Sequence, residues 1–198
     1  ILGMACRMGC VLTSPADLGY PADGYILPEM HTYEHLVEVH QETMNDNLTL
    51  FTEVAQTLSE RREARRNSLQ ERCEKAAELV KTDSGQWLVW CDLNDESETL
   101  TKLIDDAVEI RGSDKPQDKA ELCGTFTDGE IRVLVTKPSI AGFGLNWQGC
   151  HNMIFVGLSD SYEMMYQAIR RCYRFGQESA VNVHIVTSAA EGAVKANV

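Results

Sequence analysis

The chain of 198 residues has no apolar run approaching the ~20 residues that a membrane-spanning helix requires. A charged start followed by a short apolar stretch, the mark of a secretory signal, is missing as well. Together these absences make a soluble protein in the cytoplasm the default expectation, with no membrane partner. Two nucleotide-binding signatures are also lacking. Nowhere does Gly-x4-Gly-Lys-Ser/Thr occur, so there is no lysine to reach β- and γ-phosphates and no hydroxyl beside it for magnesium. No Asp-Glu-x-His or Asp-Glu-Ala-Asp box follows an apolar strand, and Asp95-Glu96-Ser97 stands in the wrong context for a metal.

Positive charge is scarce: 18 Lys and Arg face 30 Asp and Glu, a net charge of −12. Its distribution is uneven. Residues 137–198 balance at +1, and the remaining residues carry −13. Overall acidity argues against a strong nucleic-acid binder, yet a local phosphate path built partly from backbone amides is compatible with it. The seven cysteines are scattered and odd in number, which argues against a disulfide framework and for small buried apolar side chains. Cys6-x3-Cys10 followed by His31-x3-His35 has the residue types of a zinc site. The histidines fall in a strand-like stretch, however, where i and i+4 lie about 13 Å apart, so no metal is assigned.

Gly19 to Gly24 reads as a turn-rich connection and Tyr33 to Val39 as a strand. Residues from about 48 to 82 read as one helical segment without Pro or Gly before Gly85. It contains Arg61-Arg62-Glu63-Ala64-Arg65-Arg66, readable as a solvated face or as a backbone-contacting or bracing patch. Beyond Trp87, short apolar strands alternate with helices: strands at 87–91, 107–111, 131–136, 152–156 and 181–187, and helices at about 96–105, 116–126 and 161–173. Such alternation predicts an α/β fold with a mostly parallel sheet, helices on both faces, and ligands at the carboxyl ends of the strands.

The chemistry concentrates in Gln167-Ala168-Ile169-Arg170-Arg171-Cys172-Tyr173-Arg174-Phe175-Gly176-Gln177. On a helix, Arg171 and Arg174 share one face. Two planar, permanently charged guanidinium forks suit a phosphate chain, above all one gaining charge in a transition state. An ordinary basic helix end closed by Gly176 is the competing reading.

Upstream stands Lys137-Pro138-Ser139-Ile140-Ala141-Gly142-Phe143-Gly144-Leu145-Asn146-Trp147, then the apolar strand Met153-Ile154-Phe155-Val156. This order resembles motifs V and VI of superfamily-two helicases of the Swi/Snf type, which are ATP-dependent DNA translocases. Trp87 to Asn94 is similar to motif IV of that family, and Val108 to Ser113 to the strand and Gly-Ser turn that follow. Glu-Ser-Glu, Arg-Gly-Ser-Asp and the Lys137 segment look most like helicases of phages and prophages.

The resemblance implies a RecA-like second lobe occupying residues 31–198, with residues 1–30 as an inter-lobe connection or the tail of a preceding lobe. It implies ATP and magnesium, held mainly by an N-terminal RecA-like lobe, and DNA as partner, with RNA left open. Arg171 and Arg174 match the arginines that reach across the cleft to ATP. Gln167, Gly142 and Gly144 match further nucleotide contacts. Asn94, Ser113, Ser139, Gly144, Asn146 and Trp147 fall where nucleic-acid contacts are made. Arg170 departs from the pattern, since Swi/Snf-type proteins usually place Asp there and DEAD-box helicases Gly. Trp147 stands where Leu is usual, as core or as a stacking surface. A nucleotide-sugar glycosyltransferase lobe and a non-catalytic interaction domain are the alternatives.

Overall fold

The computed structural model describes residues 18–19, 21, 26–38, 65–140, 145–157 and 161–188. Among the described residues six strands form one sheet: β1 (Met30–Val37), β2 (Trp87–Trp90), β3 (Ala107–Glu109), β4 (Val133–Thr136), β5 (Asn152–Val156) and β6 (Val181–Ser188). Their order is β1-β6-β5-β2-β4-β3, and every neighbouring pair is parallel. Between them run α1 (Leu69–Val80), α2 (Asn94–Leu103), α3 (Pro116–Thr127) and α4 (Tyr162–Ile169). This is the RecA-like α/β architecture expected from the alternation and the resemblance.

A parallel sheet covered on both faces turns its strands into continuous apolar runs, and the central three follow that rule. Every residue of Trp87–Trp90, Val133–Thr136 and Asn152–Val156 is buried. Trp87, Val89, Val133, Val135, Ile154 and Val156 face one core with Cys73, Ala76, Val80 and Leu100 of α1 and α2. Leu88, Trp90, Leu134, Met153 and Phe155 face the other with Cys123, Phe126, Trp147 and Cys172.

The chain leaves β2 toward β3 and leaves β5 toward β6, in opposite directions along the sheet. The carboxyl ends of strands at such a reversal are the usual ligand position in open α/β sheets.

Two expectations need correction. The helix expected over 161–173 ends at Ile169 with Arg170 as its C-cap. Beyond it the backbone tightens into i→i−3 turns, Arg171 N to Ala168 O and Cys172 N to Ile169 O, which pull Cys172 into the core. The expected basic face over 61–66 is also not a solvated one at Arg65, which is buried; Arg61 to Ala64 lie outside the described residues. Cys6 and Cys10 lie outside them too, as do Gly142 and Gly144.

Candidate functional site

Two clusters form where the sequence places its polar segments. In the first, the loop leaving β2 delivers Asn94 to the exposed start of α2, where its side-chain oxygen accepts a hydrogen bond from Lys137 Nζ at 2.7 Å. Lys137 follows β4, so this bond ties together the carboxyl ends of two adjacent strands. Ser139 is exposed in the turn beyond Lys137, and Ser113 is exposed in the neighbouring Gly112 turn, where Ile140 lies 3.8 Å from the position a Gly112 Cβ would take.

The second cluster joins the segment at Leu145–Trp147 to the turn that follows α4. Arg174 Nη1 donates to the Asn146 side-chain oxygen, and Arg171 Nη1 reaches Leu145 O at 3.5 Å. Trp147 N donates to Arg171 O at 2.8 Å, so side chains and backbone both hold the junction. Partial burial and the neighbouring Arg174 charge lower the pKa of Arg171 from its ordinary value, though a guanidinium starting there stays protonated. Two cations and an amide side chain thus gather in one half-exposed place, a donor set that fits an anionic oxygen cluster.

Neighbouring residues set this geometry. Gly176 adopts φ +87°, the left-handed conformation that ends the turn after Arg174. Gln177 is buried and acts as a staple. Its Nε2 donates to Cys150 O at 3.1 Å and Cys172 O at 3.3 Å, and its Oε1 accepts from Ser179 N at 2.9 Å. Tyr173 Oη donates to Pro28 O at 3.0 Å, fastening the same turn to the segment ahead of β1.

Trp147 is no stacking surface for a base or a second lobe. Its indole is 1% exposed and meets Phe126 edge-on at 5.3 Å and Trp90 at 6.2 Å. A large ring after a polar Asn reads equally as core or platform in a sequence, and only packing separates the two. Gln167 is exposed on α4, and no contact brings it to the arginine junction among the described residues. Sequence reading missed Lys137 as a partner of Asn94 and Gln177 as a staple; the Lys137 pairing joins residues 43 apart, beyond any local pattern.

The described cysteines are free and buried, in accord with their reading as apolar filling. Burial pushes the Cys73 and Cys91 thiols up to about 12, so neither supplies a thiolate at neutral pH. His31 and His35 lie on β1, and His35 Nε2 stands 3.0 Å from His184 Nδ1 on β6.

A family profile described as "Helicase conserved C-terminal domain" matches residues 71–176. Among curated proteins, TATA-binding protein-associated factor mot1 of Aspergillus fumigatus is 30% identical over 105 residues, which span 49% of this chain and 6% of that protein. Its Schizosaccharomyces pombe counterpart is 32% identical over 105 residues, 49% of this chain and 5% of that protein. The match therefore spans only a small fraction of these relatives. They are fungal, and they give no support to the likeness to phage and prophage helicases. Among solved structures, the C-terminal part of the Fun30 ATPase domain aligns with TM-score 0.59 and 20% identity, over 64% of this chain and 44% of that one. The C-terminal domain of the DEAD-box protein Dbp5 aligns with TM-score 0.54 and 16% identity, over 63% and 74%.

Proposed function

The chain belongs to the helicase conserved C-terminal domain family, and on that premise we propose that it is the C-terminal motor lobe of an ATP-dependent DNA translocase of the Swi/Snf type. It works with an ATP-binding lobe that its own residues do not supply, because they carry no Gly-x4-Gly-Lys-Ser/Thr loop. The observation that carries this reading is the junction of Arg171 and Arg174 with Leu145 and Asn146. It joins the segment suited to nucleic-acid phosphates to the segment suited to nucleotide phosphates. A change felt at one is transmitted to the other through two side-chain bonds and one backbone bond.

ATP, when held by the partner lobe, supplies the phosphoryl group whose transfer drives movement. Toward it this chain offers Arg171 and Arg174, whose guanidinium donors stabilise negative charge as it develops on phosphate oxygens. Magnesium is assigned, with ATP, mainly to the partner lobe, as the family resemblance implies. Nucleic-acid phosphates are met by Asn94, Lys137, Ser113, Ser139 and Asn146, with Gly144 supplying a backbone amide, while Gly142 and Gly144 are assigned to the nucleotide.

The test is ATP hydrolysis by the chain alone and by the chain joined to its ATP-binding lobe, each with and without duplex DNA. The joined protein hydrolyses ATP and DNA stimulates it; the chain alone does neither. DNA-stimulated turnover by the chain alone overturns the half-motor reading. A joined protein that binds both ligands but never turns over supports a non-catalytic interaction domain instead. The family assignment removes the ground for a glycosyltransferase lobe.

A further inference from the structure

Outside both clusters lies a buried ionic network with no part in the reading above. Arg72 on α1 and Glu96 on α2 are each 0% exposed, and Arg72 Nη1 pairs with Glu96 Oε1 at 2.7 Å. Arg72 Nε donates to Ser68 Oγ at 3.0 Å and Nη2 to Arg65 O at 2.5 Å. The second carboxylate oxygen, Glu96 Oε2, accepts from the backbone N–H groups of Asp92 and Leu93, each at 2.9 Å. Arg65, 4% exposed, closes the set by pairing with Asp92 Oδ2 at 2.8 Å.

Packing α1 against α2 does not call for charge. A buried ion pair suffers a desolvation penalty that well-packed apolar side chains of like volume avoid, so such pairs are poor stabilisers. This one does something apolar packing cannot: it fixes the two backbone amides immediately ahead of Asn94. Asn94 in turn receives Lys137. The loop leaving β2 is thus gripped from behind at Asp92, Leu93 and Glu96, while its front presents Asn94 and Lys137.

We propose that Arg65 and Arg72, with Glu96 and Asp92, are positioning residues for nucleic-acid binding: they brace the loop leaving β2 so that Asn94 and Lys137 hold one geometry toward a phosphate. The proposal rests on the DNA reading for its ligand, while the brace itself is a property of this chain. None of the four touches the nucleic acid in this arrangement. Their effect passes through Lys137 and Asn94.

The test uses the full chain and three variants: Arg72→Met with Glu96→Met, which keeps the volume and removes the charges; Lys137→Gln; and the three substitutions together. Asp92→Asn serves as a milder second probe, because its side chain is partly exposed. Amide hydrogen exchange, thermal midpoint and binding of a fluorescein-labelled duplex of mixed sequence at low salt are measured for each. The double-Met variant, whose thermal midpoint shows that it is folded at the assay temperature, exchanges faster across 92–94 and binds duplex about tenfold more weakly, the scale of one lost bond to a charged group. Lys137→Gln loses a similar factor. Adding the Met pair to Lys137→Gln costs little more, because both act through one contact. Asp92→Asn moves exchange and affinity in the same directions by less. Unchanged exchange at 92–94 in the double-Met variant overturns the brace whether or not the wild type binds DNA. Losses that multiply in the combined variant also overturn it. A wild-type chain that fails to bind duplex at low salt overturns the DNA reading and its phosphate role for the brace, and the exchange result tells the two failures apart.

Discussion

Trp147 packs against Trp90 and Phe126 in the core beneath the arginine junction, so its replacement tests packing and not binding. Trp147→Ala is expected to lower stability by ~3–5 kcal/mol, read from urea unfolding. If the variant unfolds at the wild-type midpoint and loses only DNA affinity, the ring is a binding platform after all. Gly176 carries a conformation that an L side chain enters at a penalty of about 1–2 kcal/mol. Gly176→Ala should therefore shift the same unfolding curve by that amount, with little steric addition, since the nearest atom to its Cβ would be Gln148 Nε2 at 3.5 Å. The types of these residues were plain in the sequence and their duties only partly so. Gly176 was legible as a turn end because positive φ belongs to glycine; Trp147 was not, because a ring at a loop end has the same signature whether it points in or out.

At the scale of elements, the turn after α4 shows why a correct neighbour relation can come from an incorrect element. Side chains three apart share a side in an α-helix and in tighter i→i−3 turns alike, so Arg171 and Arg174 were expected to act together from a helix that in fact stops at Ile169. The central strands suffered no such ambiguity, because short fully apolar runs between polar turns have one reading in a covered parallel sheet, whereas the edge strands expected at 33–39 and 107–111 run instead over Met30–Val37 and Ala107–Glu109. The edge pairing of β1 with β6 carries a pH dependence of its own. There His35 faces His184, with Tyr33 and Trp87 ringing His184 and with Lys75 and Glu78 of α1 acting on His35. Burial, then the neighbouring His35, lowers His184 to about 4. Burial, then Lys75, lowers His35, with Glu78 opposing. Unfolded imidazoles take up protons near pH 6.5 and these folded ones resist, so the unfolded state binds more protons below that pH. Stability is full above about pH 6.5 and falls as the pH drops toward 4. Urea midpoints recorded across that window should decline for the wild type and decline less for His184→Gln; parallel declines in both proteins would assign the loss elsewhere.

For the whole molecule, on the proposed reading, a net charge of −12 and a few local donors predict DNA binding that is weak, indifferent to sequence and steeply reduced by salt. Titrations of two unrelated duplexes over a range of salt check this, and strong sequence preference or flat salt dependence would point to base readout. On the proposed reading, the sheet order and the pairing of Arg174 with Asn146 belong to a lobe whose chemistry is completed by another. Its central claim is that Arg171 and Arg174 act on phosphoryl transfer and not on holding ATP. The most direct measurement is single-turnover hydrolysis, with ATP affinity taken alongside, in the protein joined to its ATP-binding lobe. Arg171→Ala or Arg174→Ala should cut the rate by ~10³-fold while weakening ATP binding only modestly. Lysine at either position should restore little, for want of the planar fork, and Arg170→Ala should stay near the wild-type rate. Wild-type rates in both alanine variants, or a collapse confined to Arg170→Ala, would contradict the assignment.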